Sequence, residues 1–298
     1  MDKVFIIGAG RMGYGVTKTL IRKGYEVTVY DPALEARKRA KSLGANVVDD
    51  VNDAISDHRF ILLSLPGPKE VKETVQNIGN NAKTQTFVID LSTIDPKTAM
   101  EMSETCKPNG ISYIEAPVSG GPIGAETGTL SIMVGATKDD YERVEALFRD
   151  IGKNIYHIGD VGSASIVKIC NNIVVAATTA ILSEAFLLAS SGGVDPAKLK
   201  EILSNSVASS KTLDLFGHHI VTGDYSNPTF ALKLMHKDVG LFNEAMKQFG
   251  LTSLVGTLTS QIYNSANNQG LSDEDHTAIC KFIEQINNRQ INREIHAS

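Results

Sequence analysis

A glycine segment, Gly8-Ala9-Gly10-Arg11-Met12-Gly13, follows the apolar run Val4–Ile7 and leads into the amphipathic stretch Val16–Lys23. Strand, glycine turn and helix in that order restrict the possible folds sharply. In such a turn Gly8 makes the tight bend, Gly10 lets a pyrophosphate approach the backbone, and Gly13 lets helix and strand pack closely. The helix N-terminus then offers unpaired N–H groups and a positive dipole end to phosphate, and Ala9, Arg11 and Met12 line the same loop. A second run, Val27–Tyr30, ends in Asp31, a carboxylate able to accept from ribose hydroxyls and to repel a 2′-phosphate. The same residues also read as turn glycines and a helix cap, but motif and context agree on a dinucleotide. Pro32-Ala33 follow Asp31 with no arginine beside them, which favours NAD; Arg11, Arg37 and Lys38 leave NADP possible.

The first half of the chain continues this alternation. Apolar runs recur at Phe60–Leu65, Phe87–Leu91, Tyr113–Ala116 and Leu130–Val134, with amphipathic stretches at Glu35–Leu43, Lys69–Ile78 and Pro96–Cys106. Runs apolar throughout suit strands buried on both faces, hence an α/β, doubly wound parallel sheet of the Rossmann type. After about Gly162 the strand-like runs stop. Helical patterns take over at Ser163–Ser190, Pro196–Asn205, Phe230–Phe249 and Ser253–Asn267, with Asp195-Pro196 as an N-cap and first helical residue. The expected division is a dinucleotide-binding domain at 1–162 and an all-helical substrate and dimerisation domain at 163–298, joined by one long helix.

Two further features carry chemistry. Ser119-Gly120-Gly121 follows a strand and could offer a hydroxyl and consecutive N–H groups to a carboxylate, or could be a plain turn. Lys168 stands alone in an apolar helical stretch. It reads either as a lysine snorkelling to solvent or as a cleft ammonium ready for proton transfer; Asn172 shares its helix face one turn on.

At these positions the chain resembles the β-hydroxyacid dehydrogenase family, which includes 3-hydroxyisobutyrate dehydrogenase and tartronate semialdehyde reductase. The resemblance rests on four segments in order: Gly8–Gly13, Glu115 to Leu130 around Ser119-Gly120-Gly121, Gly159 to Asn172 around Lys168, and Lys237-Asp238. It implies that Lys168 is the catalytic acid/base. It implies that Ser119, Gly120 and Gly121 bind the substrate carboxylate, and that Asn172 and Asp238 serve the substrate. Lys237, Leu65, Pro66 and Thr93, with Ser92, would then line the cofactor cleft. Four departures stand out: Glu115 for the usual Asp, Tyr14-Gly15 for Pro-Met, Ala164 for a glycine, and Thr212–Phe216 where relatives carry a Trp or a basic residue.

A net charge of −5 disfavours nucleic acid as a partner. Three scattered cysteines suggest neither disulfides nor a zinc site and point to a reducing, cytoplasmic setting. No metal-ligand cluster is apparent; the adjacent His218 and His219 read as a surface pair, and Tyr14 with Lys18 as a helix surface. The charge-free stretch Ile169–Ser183 reads as too short and polar to span a bilayer. The expected activity is hydride transfer between a nicotinamide and a small 3-hydroxy acid or semialdehyde. The alternatives are an NADPH-dependent glyoxylate or succinic semialdehyde reductase and a non-catalytic dinucleotide-binding protein. Excess apolar helix surface, together with the resemblance, suggests a homodimer or homotetramer.

Overall fold

The computed structural model describes residues 3–292. The chain divides into two compact units, Met1–Lys168 and Ile169–Ser298, so the division falls inside the long helix rather than before it.

The first unit alternates strands β1 Lys3–Ile7, β2 Glu26–Tyr30, β3 Asn46–Val47, β4 Phe60–Leu63, β5 Phe87–Asp90, β6 Ser112–Glu115, β7 Val118–Ser119, β8 Leu130–Gly135 and β9 Gly152–Gly159 with helices. These helices are α1 Arg11–Arg22, α2 Leu34–Ser42, α3 Asn52–Ile55, α4 Pro68–Asn81, α5 Pro96–Cys106, α6 Gly121–Thr127 and α7 Lys138–Ile151. The strand order is β3-β2-β1-β4-β5-β6-β8-β7, with β9 beside β8. Alternate side chains of one strand feed opposite layers, as the two-residue period requires. Val4 and Ile6 of β1 pack in one core with Val16 and Leu20 of α1; Phe5 and Ile7 pack in another with Val71 and Val75 of α4.

The sheet is not wholly parallel, which corrects the expectation from the sequence. β8 runs antiparallel to both β6 and β7, because the short helix α6 turns the chain back directly rather than crossing the sheet. β3 and β7 are two residues each, and β9 is polar and largely exposed; none carries the apolar run that marks a buried strand.

The long helix α8 spans Ser163–Ser191 and enters the second unit, which continues with α9 Pro196–Ser204, α10 Lys211–Thr222, α11 Leu232–Gln248, α12 Leu254–Ala266 and α13 Ile279–Asn287. The Asp195 carboxylate accepts the Ala197 N–H and Pro196 follows at the first helical position, as their order predicts. Ile173, Ala176 and Phe186 of α8 share a core with Leu232, Met235 and Val239 of α11, Tyr263 of α12 and Ile283 of α13. α8 is long and apolar enough to cross a membrane. This corrects the reading of Ile169–Ser183 alone, because the helix continues past Glu184 through Ala185, Phe186, Leu187 and Leu188. Length and composition are shared by core helices, and one side of α8 supplies the core of the second unit.

Candidate active site

The strand order reverses between β1 and its neighbours β2 and β4, and the glycine loop leaves the carboxyl end of β1 at this point. In doubly wound sheets that is where ligands bind. A methyl group at Gly13 would stand 1.9 Å from the Gly8 carbonyl oxygen, so Gly13 is demanded by the packing of α1 on β1. At Gly10 nothing lies within 4 Å of such a methyl group. The protein itself does not require glycine there, and no side chain caps α1. Bare backbone and open space at an uncapped helix N-terminus fit the pyrophosphate of a dinucleotide.

Asp31 faces this loop. Its Oδ2 accepts the Ala9 N–H at 2.7 Å and its Oδ1 the Ala33 N–H at 2.8 Å. The Arg37 guanidinium donates to the Asp31 carbonyl oxygen at 2.6 Å and lies 3.2 Å from Asp49 Oδ1. Further along the sheet, the Leu65 N–H donates to Ser92 Oγ at 2.9 Å, which ties the loops after β4 and β5 together. Ser92 N–H in turn donates to Asp90 Oδ1, whose partner oxygen accepts from the Tyr113 hydroxyl at 2.7 Å. Burial, then the Asp90 charge, holds the Tyr113 hydroxyl well above its ordinary range, so it stays a donor. Pro66 is exposed and Thr93 half-buried beside this network.

Ser119 ends β7, where it pairs in register with Ser131 of β8. Gly120 and Gly121 follow with φ of +126° and +63°, conformations that only glycine takes readily in succession. α6 begins at Gly121 and packs on α1, so the two glycine segments are mechanically linked. Gly15 permits the approach: a methyl group there would stand 2.7 Å from Ala125 Cβ. Thr19 Oγ1 then donates to the Ala125 carbonyl at 2.7 Å, and Lys18 pairs with Glu126. The Tyr14-Gly15 departure is therefore a packing feature, and Lys18 is a surface ion-pair partner.

Lys168 lies in the second turn of α8 and is only 8% exposed. The first turn of that helix is held by Glu115, at the carboxyl end of β6 and 1% exposed. Glu115 Oε1 accepts the N–H groups of Gly162 (2.6 Å) and Ala164 (2.8 Å). Its Oε2 accepts the Ser165 N–H (3.2 Å) and hydroxyl (2.5 Å). Ala164 contributes its N–H, so that departure from the family pattern costs no contact. The sequence marked Glu115 only as an exchange for Asp; a lone carboxylate closing an apolar strand was the available signal.

In the second unit, Asn172 and Asp238 are both buried. Asn172 Nδ2 donates to Asp238 Oδ2 at 2.5 Å, and its Oδ1 accepts from Asn171 Nδ2 at 2.9 Å. Lys237 Nζ lies 3.0 Å from Asp238 Oδ1, an ion pair. Asp238 thus orients Asn172 on α8 and Lys237 on its own helix. His219 is buried rather than a surface group: its Nδ1 lies 2.7 Å from the Asp224 carbonyl oxygen and its Nε2 4.0 Å from Asp275 Oδ2. The turn that follows α10 folds over it, which the His218-His219 pattern does not reveal. Among the described residues no three His, Cys, Asp or Glu side chains are grouped to hold a metal ion.

Comparison with known proteins agrees with this geometry. Residues 3–159 match the NAD-binding domain of 6-phosphogluconate dehydrogenase, and residues 162–283 match the NAD-binding family of NADP-dependent 3-hydroxyisobutyrate dehydrogenase. The chain is 34% identical to 2-(hydroxymethyl)glutarate dehydrogenase of Eubacterium barkeri, covering 95% of each. It is 33% identical to 2-hydroxy-3-oxopropionate reductase of Escherichia coli, covering 97% of this chain and 99% of that protein. A solved Mycobacterium tuberculosis 3-hydroxyisobutyrate dehydrogenase with L-serine superposes with a TM-score of 0.85 at 27% identity, over 95% of this chain and 99% of that one. With matches of this length running through both halves, the chain belongs to the β-hydroxyacid dehydrogenase family and is an NAD(P)-dependent oxidoreductase of that family.

Proposed function

We propose that the enzyme moves a hydride between NAD(H) and a small 3-hydroxy acid or its semialdehyde, with Lys168 as general acid/base. The observation that carries this reading is a lysine only 8% exposed in all, one helical turn before the buried Asn172. A lysine serving only solubility keeps its head in water. The nicotinamide, when bound, supplies the hydride chemistry. Lys168 gives a proton to the substrate oxygen in reduction and takes it back in oxidation. Ser119, Gly120 and Gly121 hold the carboxylate through the hydroxyl and backbone N–H groups. Asn172 directs its remaining amide hydrogen and lone pair to the substrate; Asp238 holds it there and places Lys237.

The substrates named for the two curated relatives share a chemical pattern that supports the choice. 2-(Hydroxymethyl)glutarate and 2-hydroxy-3-oxopropionate each carry a primary alcohol or aldehyde on the carbon β to a carboxylate. NAD is the preferred cofactor in this proposal, because the Asp31 carboxylate stands at the loop while Arg37 is committed to the Asp31 carbonyl and Asp49. The enzyme works as a homodimer or homotetramer. Val174, Ile181 and Leu188 recur every seventh residue of α8 and are exposed, which supports a helix face covered by a second copy. All three cysteines are free thiols, which supports a cytoplasmic setting.

Lys168→Ala tests the assignment. Turnover should fall about 10²–10⁴-fold, the usual size of a lost acid–base group, with the Kd for NADH unchanged. A panel of 3-hydroxy acids and semialdehydes, read by nicotinamide absorbance in both directions, identifies the substrate. Near-normal turnover in the variant would refute the role.

A further inference from the structure

We propose that Glu115 is a positioning residue for the reaction: its buried carboxylate sets where Lys168 stands by clamping the first turn of α8 onto the end of β6. This rests on the assignment of Lys168 as proton carrier. Four donors converge on the two carboxylate oxygens, three of them backbone N–H groups of Gly162, Ala164 and Ser165 at the start of the helix. These are the groups a helix leaves unpaired at its N-terminus, and a carboxylate there also faces the positive end of the dipole. The clamp comes from a distant strand rather than from a neighbouring cap residue, so it fixes the helix against the sheet and not merely its first turn. Ser165 lies three residues before Lys168, on the same helix face, and is itself buried. On the strand side, Glu115 lies four residues before Ser119. One carboxylate therefore joins the backbone leading to the carboxylate-binding segment with the helix that carries the proton. The sheet makes room for it: Gly135 pairs with Glu115 in register, and a methyl group at Gly135 would stand 2.1 Å from Glu115 Oε1. A neutral amide of the same shape would turn N–H groups towards N–H groups, and at least one helix donor would lose its acceptor.

A double-mutant cycle with Lys168→Ala separates positioning from general structural support. Glu115→Gln should remain folded, judged by its thermal midpoint, and lose about ten- to a hundredfold in kcat, the scale set by small misplacements of a catalytic group. KM and the Kd for NADH should stay within about twofold. Introduced into Lys168→Ala, the same change should alter the residual rate by less than about twofold, because the group it positions is gone. Ser165→Ala, which removes one donor and keeps the backbone, should show the same coupling with a smaller loss; it carries the test if Glu115→Gln does not fold. The proposal falls if Glu115→Gln keeps the wild-type kcat, or if the loss is equally large without Lys168. If Lys168→Ala itself turns over normally, the acid/base assignment fails and the proposal with it. An inert Lys168→Ala beside a fully active Glu115→Gln would overturn the clamp alone.

Discussion

Asp31 places a full negative charge 2.7 Å from a loop N–H at the point where the ribose of a bound dinucleotide would meet the glycine turn. The carboxylate is a strut of the loop, and the proposed function makes it a reader of the ribose as well; the two roles predict different outcomes for one substitution. Asp31→Ser removes the charge and keeps a hydroxyl. If the carboxylate repels a 2′-phosphate, the ratio of kcat/KM for NAD over NADP should fall at least about fivefold, the scale of one charge–charge interaction at about 4 Å in water. If Asp31 only braces the loop, both cofactors weaken together and the ratio holds. Parallel kinetics with the two cofactors decide it. At this scale the sequence singles out residue types that are scarce in their context: a charge inside an apolar helix marks Lys168, and paired glycines after a strand mark Ser119–Gly121, each with a plain reading beside the functional one that the family resemblance implies. It did not display relations between distant residues. Nothing near Asn172 announces that Asp238 will orient it, and nothing near Glu115 announces the four donors it gathers from Gly162 to Ser165.

Elements were legible in proportion to how much of their burial is local. β1, β4 and β5 bury both faces and appear as continuous apolar runs. Among the described residues β9 pairs only with β8 and is largely exposed, with no continuous buried run, so its pairing is set by its partner and leaves no pattern of its own. α6 is seven residues that include two glycines and a proline, a composition that reads as turn until α1 packs against it. In the second half α8, α9, α11 and α12 follow the expected periodicity, whereas α10 and α13 lie outside the expected helices; α10 carries Gly217 and the pair His218-His219 in the middle of its apolar stripe. α8 also carries a prediction. Its inward positions fill the core, yet Val174, Ile181 and Leu188 are 63%, 60% and 77% exposed and align along one side. Such a stripe is stable in water only when covered or when the protein tolerates association. If the protein is the homo-oligomer proposed above and this stripe is its contact, Ile181→Glu should yield a smaller species, read by light scattering after size exclusion, with a lower thermal midpoint as the stabilisation by association is lost. An unchanged mass would show that this stripe is not a subunit contact.

Each half of the molecule has its own core, and that of the second unit encloses an aspartate and a histidine side by side in sequence. Asp275 and His276 are fully buried. Asp275 accepts from Thr277 and Thr229, faces His219 Nε2 at 4.0 Å, and bridges the loop before α11 to the turn before α13. His276 is packed between Phe216 and Phe230, with the Tyr263 hydroxyl 3.3 Å from its Nδ1 and its Nε2 without a hydrogen-bond partner among the described residues. Burial drives the imidazole down to about 4, against the pull of the Asp275 charge. The native state therefore holds His276 neutral, while the unfolded chain takes up a proton near the ordinary value of about 6.5. Below that value the unfolded state binds more protons than the native one, so stability falls as the pH is lowered from about 6.5 towards 4 and is level above it. Full expression of the shift is on the order of 3 kcal/mol. His218 and His236 are pushed down by burial too and act in the same direction, but both retain contact with solvent and contribute less. For Asp275, burial pushes upwards, yet His276 and the Thr277 donors outweigh it and hold the carboxyl below its usual range, so its own titration lies beneath this window. The thermal midpoint should accordingly drop between pH 7 and pH 5, and most of that drop should vanish in His276→Gln, where the buried position no longer titrates. A midpoint that stays level over this range, or a slope that survives the substitution intact, would show that the acid response arises outside this cluster.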